Sequence, residues 1–163
     1  MYDKPLTIEQ NLKLLAATPL RIAELTEGLT PSQLLMPPEP GEWSARDVLA
    51  HLRACSDMWG KYITVILRED RPTFKAMNPT TWIKHTNYLE QEFEASLQAF
   101  TAQRTELLAV LKSLPPNAWS RAATVTGAGK PRERTVHTYA MWLANHEASH
   151  FRQMELIAKA LRR

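Results

Sequence analysis

Apolar positions recur along this chain every three to four residues, the repeat of helices that bury one face. The first run carries Ile8, Leu12, Leu15, Ile22, Leu25 and Leu29. Ahead of it, Thr7-Ile8-Glu9-Gln10 has the form of a capping box, so a helix is predicted to open there. Pro19 lacks the amide hydrogen that an interior helical residue donates, and it predicts a kink or break near Thr18. Gly28 and Thr30-Pro31 end the segment, and Pro37-Pro38-Glu39-Pro40-Gly41 reads as a stiff loop. Ser44, with Asp47 three positions on, caps a second helix that runs to about Arg68. Its seam is Val48, His51, Cys55, Met58, Tyr62 and Val65 or Ile66. A loop bounded by Pro72 and Pro79 follows. A third helix is predicted from Thr80 or Thr81 to about Ser113 on Trp82, Leu89, Phe93, Leu97, Phe100, Leu107 and Leu111. Pro115-Pro116 stop it, and residues 117–134 form a polar loop around Gly127 and Gly129 with weak signs of a hairpin. Thr135 caps a fourth helix that runs nearly to the C-terminus.

Four amphipathic helices with almost no convincing strand predict an all-α four-helix bundle, a single domain over residues 1–163. A chain of this length buries a full core without disulfides or a structural metal. The one cysteine, Cys55, excludes an intrachain disulfide and favours the cytoplasm. No stretch reads as a signal peptide or a membrane span, and no membrane partner is expected. The formal net charge is +3, with basic residues scattered apart from Lys130 to Arg134 and Arg162-Arg163. That pattern is too weak for a nucleic-acid partner.

The chemistry enters through histidines that stand where apolar residues belong. The seam of the fourth helix reads Val136, Tyr139, Leu143, His146, His150, then Gln153 or Met154, Ile157 and Leu161. His146 and His150 lie one turn apart on one face, a spacing at which two imidazoles can share a metal ion. His51 occupies an equivalent place on the second helix. His137 falls on the opposite face of its helix and His85 between seam positions. One seam histidine alone is ordinarily a hydrogen-bonded core imidazole; three together fit that reading less well. If they converge, three neutral imidazoles suit zinc, nickel, iron or copper rather than magnesium or calcium. Three protein ligands would leave an open position, as catalytic sites do.

Other candidates are weaker. Glu147-Ala148-Ser149-His150 is the Glu-x-x-His unit of di-iron bundles, but Val48 stands where His51 would need a second glutamate. Glu147 therefore reads as a solvated residue or as a partner to a ligand. Ser149 and Cys55 lie beside histidines without an orienting third group, and Cys55 reads as a small buried hydrophobe. Trp59, Trp142 and Ile83 fall off the seams and suggest an outer face for a two-fold homodimer.

Gly41-Glu42-Trp43-Ser44 with Asp47-Val48-Leu49-Ala50-His51-Leu52 resembles the opening of the second helix in the DinB family. His146-Glu147-Ala148-Ser149-His150-Phe151-Arg152-Gln153-Met154 resembles its closing helix, and Thr18-Pro19 resembles its usual Thr-Pro. The resemblance runs from about residue 10 to 160. It implies a bundle with an unusual connection and a divalent-metal site of His51, His146 and His150 holding zinc, nickel or iron, often in a homodimer. It also implies relatives that include transferases and isomerases using low-molecular-weight thiols, and the leading expectation here is a metal-dependent enzyme, a thiol transferase or a hydrolase. The alternative is a non-enzymatic stress or binding protein in which the metal or histidine cluster is structural. An enzyme needs an open pocket reaching the ion's free position, with polar groups from the loops around Trp43 or residues 117–134. A structural site would be capped by apolar side chains.

Overall fold

A computed structural model describes residues 3–163. The chain forms α1 (Ile8–Thr26), α2 (Pro31–Leu35), α3 (Ala45–Arg68), β1 (Thr73–Lys75), α4 (Pro79–Trp82), α5 (Phe93–Ser113), β2 (Ala122–Thr126), β3 (Arg132–Thr135) and α6 (Val136–Leu161). The long helices α1, α3, α5 and α6 make the bundle, and among the described residues no helix is long and apolar enough to cross a membrane. Capping boxes open α1 at Thr7/Gln10 and α3 at Ser44/Asp47, as their sequences predict.

The predicted break at Pro19 does not occur, and the helix is continuous through it. A proline leaves the carbonyl four residues earlier without its helical donor. Here that carbonyl is Leu15 O, and the Arg104 guanidinium from α5 donates to it at 2.8 Å. The same guanidinium meets both carboxylate oxygens of Glu147 on α6, with Nη1 to Oε1 at 2.7 Å and Nη2 to Oε2. Arg104 is 2% exposed and Glu147 0%, so this clamp lies wholly inside the bundle and joins α1, α5 and α6. The reading of Glu147 as solvated is thereby corrected.

The third predicted helix starts later than its spacing suggests. Residues 79–92 form α4 and two single 3-10 turns before α5 begins at Phe93. Asp57 on α3 accepts from the Tyr88 hydroxyl at 2.5 Å, from the Trp82 indole at 3.4 Å and from the Gln103 amide. Arg53, also on α3, lies 3.7 Å over the Tyr88 ring and donates to Gln91 and Ser96. These side-chain anchors hold the crossing against α3 in place of helical turns, and Leu89 is left 43% exposed. The weak hairpin signs in residues 117–134 correspond to β2 and β3, which pair antiparallel; the parallel pairing of β1 with β2 left no signal in the sequence. It closes one end of the bundle against Trp119 and Tyr62.

Two apolar clusters fill the interior. One joins Leu15, Ile63, Ile66, Leu111, Tyr139 and Leu143; the other joins Ile22, Leu49, Leu52, Phe100, Phe151 and Met154. Early α3 packs with late α6 and late α3 with early α6, so these helices run antiparallel. Several of the buried polar residues fall between the two sets. Ser56 follows Leu52 on α3, Arg104 follows Phe100 on α5, and His146 and Glu147 precede Phe151 on α6. Trp59 and Trp142 pack on the first cluster and are not fully outward.

Candidate metal centre

The polar layer between the two cores is where α3 and α6 bring three imidazoles together. His51 Nε2 and His146 Nε2 are 2.9 Å apart. The ring centres of His51 and His150 are 4.7 Å apart, and those of His146 and His150 4.5 Å. Helical spacing explains both halves. His146 and His150 share one face of α6, and antiparallel packing brings the first two turns of α3 beside them. His85 and His137 stay outside this group; the His137 ring instead pairs at 2.8 Å with Leu6 O.

Two nitrogens of one kind face each other across 2.9 Å. Either one of them carries a hydrogen, or both present lone pairs to a cation. Burial favours the neutral rings. The His146 pKa is lowered from 6.5 to about 3, first by desolvation and then by His150 and His51. That of His51 is lowered to about 4 by desolvation and then by His150. Neutral imidazole is the form that binds metals. The separation is also within the span of two ligands on one ion, about 4 Å when each metal–nitrogen bond is about 2.0–2.1 Å. The donor set therefore fits a divalent transition metal.

His150 has a defined tautomer. Its Nδ1 lies 2.8 Å from Gln153 Oε1, and an amide oxygen only accepts, so Nδ1 carries the proton. In a neutral ring this leaves the lone pair on Nε2, the arrangement that an outer hydrogen bond gives a ligating histidine. Gln153 sits one turn beyond His150 on the same face, the spacing that could have revealed its role.

Aromatic rings enclose the group. Trp43 lies nearly parallel to His150 at 6.1 Å and is tilted against His51 at 5.2 Å. Gly41, at φ +85°, supplies the left-handed residue that turns the chain before the Ser44 cap and sets Trp43 in place. Trp59 meets His146 edge-on at 5.2 Å.

Cys55 is buried, as its place on the seam predicts, yet it belongs to the cluster. Its Sγ is 3.7 Å from Nε2 of His51 and of His146. His51, Cys55 and His146 thus offer three donor atoms within 4.8 Å of one another, a set that does not include His150. The thiol pKa is raised to about 12 by burial, then by Glu147 and Asp57. Its four-residue spacing from His51 was the available signal.

On one side the group opens to water. A cleft of about 500 Å³ is lined by Pro38, Glu42, Trp43, His150, Gln153 and Leu156. Residues from 117–134 line a different cavity, which reaches Trp59 instead.

The sequence profile of the DinB superfamily matches residues 14–154, most of the chain and every element of the cluster. The chain belongs to the DinB superfamily. No curated protein sequence matches it. Among solved structures, YfiT from Bacillus subtilis is similar at 18% identity, with a TM-score of 0.79 over 96% of this chain and 90% of its own. That protein is described as "a probable metal-dependent hydrolase with an unusual four-helix bundle topology". At that identity the likeness is one of fold. It supports the bundle for this DinB-superfamily chain, with the three-stranded sheet beside the helices.

Proposed function

We propose that this DinB-superfamily chain is a metal-dependent enzyme, a hydrolase or a thiol transferase, in which His51, His146 and His150 hold a divalent transition ion. The observation behind this reading is the convergence of three imidazoles with one of them, His150, on the wall of an open cleft. An ion held there would supply Lewis acidity toward a substrate carbonyl or lower the pKa of a water or thiol. The remaining tasks belong to the protein. Gln153 keeps the His150 proton on Nδ1, Trp43 shields the rings, and the Arg104–Glu147 clamp fixes the rotation of α6. Glu42 and Gln153 give the cleft its polar wall.

The 3.7 Å contacts of Cys55 favour a second reading, in which sulfur is a fourth ligand and the site is closed and structural. The open form is favoured by the place of His150 on the wall of the open cleft. Cobalt-loaded protein separates the two. The open site gives a spectrum without a thiolate charge-transfer band that changes saturably when azide or a small thiol is added. A strong thiolate band that is lost in Cys55→Ala, with no response to azide, would replace the enzyme with the structural reading.

The depressed imidazoles also set a pH dependence. Between pH 6.5 and about 3 the unfolded chain protonates His146 while the folded apoprotein does not. Stability therefore falls as pH drops through this window, and His51 adds to the fall down to about pH 4. For His146 alone the loss is on the order of 2 kcal/mol by pH 5. Urea unfolding of the metal-free protein should show it, and His146→Gln should flatten the slope. Equal slopes in wild type and variant would contradict the buried neutral imidazole.

A further inference from the structure

The hairpin side of the bundle holds a second cavity, of about 330 Å³. One wall is aromatic. Tyr62 and Trp59 come from α3, and Tyr139 and Trp142 from α6. Their rings touch in sequence, Tyr62 to Tyr139 at 5.2 Å, Tyr139 to Trp142 at 5.7 Å and Trp142 to Trp59 at 6.4 Å. The other wall is basic. Lys130, Arg132 and Arg134 line it; Arg132 and Arg134 alternate on β3 and so share one face, and Lys130 joins them from the turn before the strand. Glu133 lies between them and pairs with Arg71 at 3.4 Å, leaving the lining without an acid.

Three like charges beside one apolar wall give it a positive potential that attracts an anion. Among the described residues no carboxylate ion-pairs with Lys130, Arg132 or Arg134; Arg134 lies 4.8 Å over the Trp142 ring. A hydroxyl donor is also at hand. Tyr62 OH accepts the Met77 amide at 2.8 Å and keeps its own hydrogen to give. Burial raises the Tyr62 and Tyr139 pKa values, so both remain phenols at neutral pH.

We propose that this cavity binds a small carboxylate carried on a flat apolar ring, the ring against Trp59, Tyr139 and Trp142 and the carboxylate on Arg132, Arg134 and Lys130. Arginine forks match carboxylates in two-point geometry, and aromatic faces take planar bodies edge-on or offset. The volume is at the small end of ligand pockets, which run from about 300 Å³ upward, and it limits the occupant to roughly two fused rings. Binding here needs no metal, so it stands apart from the catalytic proposal. The Trp59 ring that forms the floor also touches His146, which places the occupant one side chain from the histidine cluster.

The test is calorimetric titration of the full chain with 2-naphthoate, 2-naphthamide and inorganic phosphate, with and without bound metal. Naphthoate should bind about ten-fold more tightly than the neutral amide, a difference of about 1.4 kcal/mol. Arg132→Gln/Arg134→Gln should reduce naphthoate to the affinity of the amide while leaving the helical circular dichroism unchanged. In nitrogen-15 spectra of wild type, naphthoate should shift the indole signals of Trp59 and Trp142, assigned through Trp59→Phe and Trp142→Phe. Equal affinity for acid and amide would overturn the proposal. So would phosphate binding as tightly as naphthoate, or shifts confined to Trp43.

Discussion

Glu147→Ala should lower the stability of this bundle by about 3–5 kcal/mol, the cost of leaving one partner of a buried ion pair uncompensated. The substitution strands the Arg104 guanidinium, which is 2% exposed and holds Leu15 O and Ser56 Oγ as well. Against a total of about 5–15 kcal/mol, that loss is a large fraction. Each kcal/mol moves the melting temperature of a domain this size by about 2–4 °C, so the expected drop is roughly 6–20 °C. Arg104→Ala should cost at least as much, because it also returns the Leu15 carbonyl to the unpaired state that Pro19 creates. The double variant Arg104→Met/Glu147→Leu should recover much of the loss, since an apolar pair of similar volume removes both charges at once. Thermal and urea unfolding measure all three. A change under 1 kcal/mol in either single variant would show that the clamp is not what holds α1, α5 and α6 in register.

The second large effect concerns the ion. His146→Ala should weaken zinc or nickel binding by at least 100-fold, while the apolar clusters on either side of the histidine layer keep the helices folded. In wild type, the ion binds the folded state almost alone, because the unfolded chain separates His51 from His146 and His150. At free metal about 100 times the dissociation constant, linkage contributes roughly 2.7 kcal/mol. Chelation should therefore lower the wild-type melting temperature by roughly 5–10 °C and leave that of His146→Ala unmoved. Loss of helical circular dichroism at 25 °C on chelation would mean that the ion is needed for the fold itself. Equal chelator sensitivity in wild type and variant would remove His146 from the ligand set.

Much of this arrangement could be read from the chain because helical periodicity carries side-chain direction. His51, His146 and His150 interrupt apolar seams, and the antiparallel packing of α3 and α6 converts that shared phase into contact. What the pattern hid depends on partners distant in sequence. Pro19 continues its helix because Arg104 supplies a donor to Leu15 from another helix. Glu147 looks like a surface residue until that same arginine is placed beside it. Trp82 and Leu89 have helical spacing, but Asp57 and Arg53 hold their segment in turns, and neither anchor leaves a periodic signal. The strands are three to five residues long and mostly polar, so alternation gave only weak signs of the β2–β3 hairpin and none of β1. The seam position of Cys55 predicts its burial, but its nearness to two ring nitrogens depends on the facing helix.

X-ray absorption at the metal edge of protein loaded with one equivalent of zinc tests the histidine site most directly. The first shell should be nitrogen and oxygen only, at about 2.0–2.1 Å, with the outer-ring scattering of three imidazoles falling to two in His150→Ala. A sulfur shell at about 2.3 Å, or an unchanged imidazole count in His150→Ala, would contradict this ligand set.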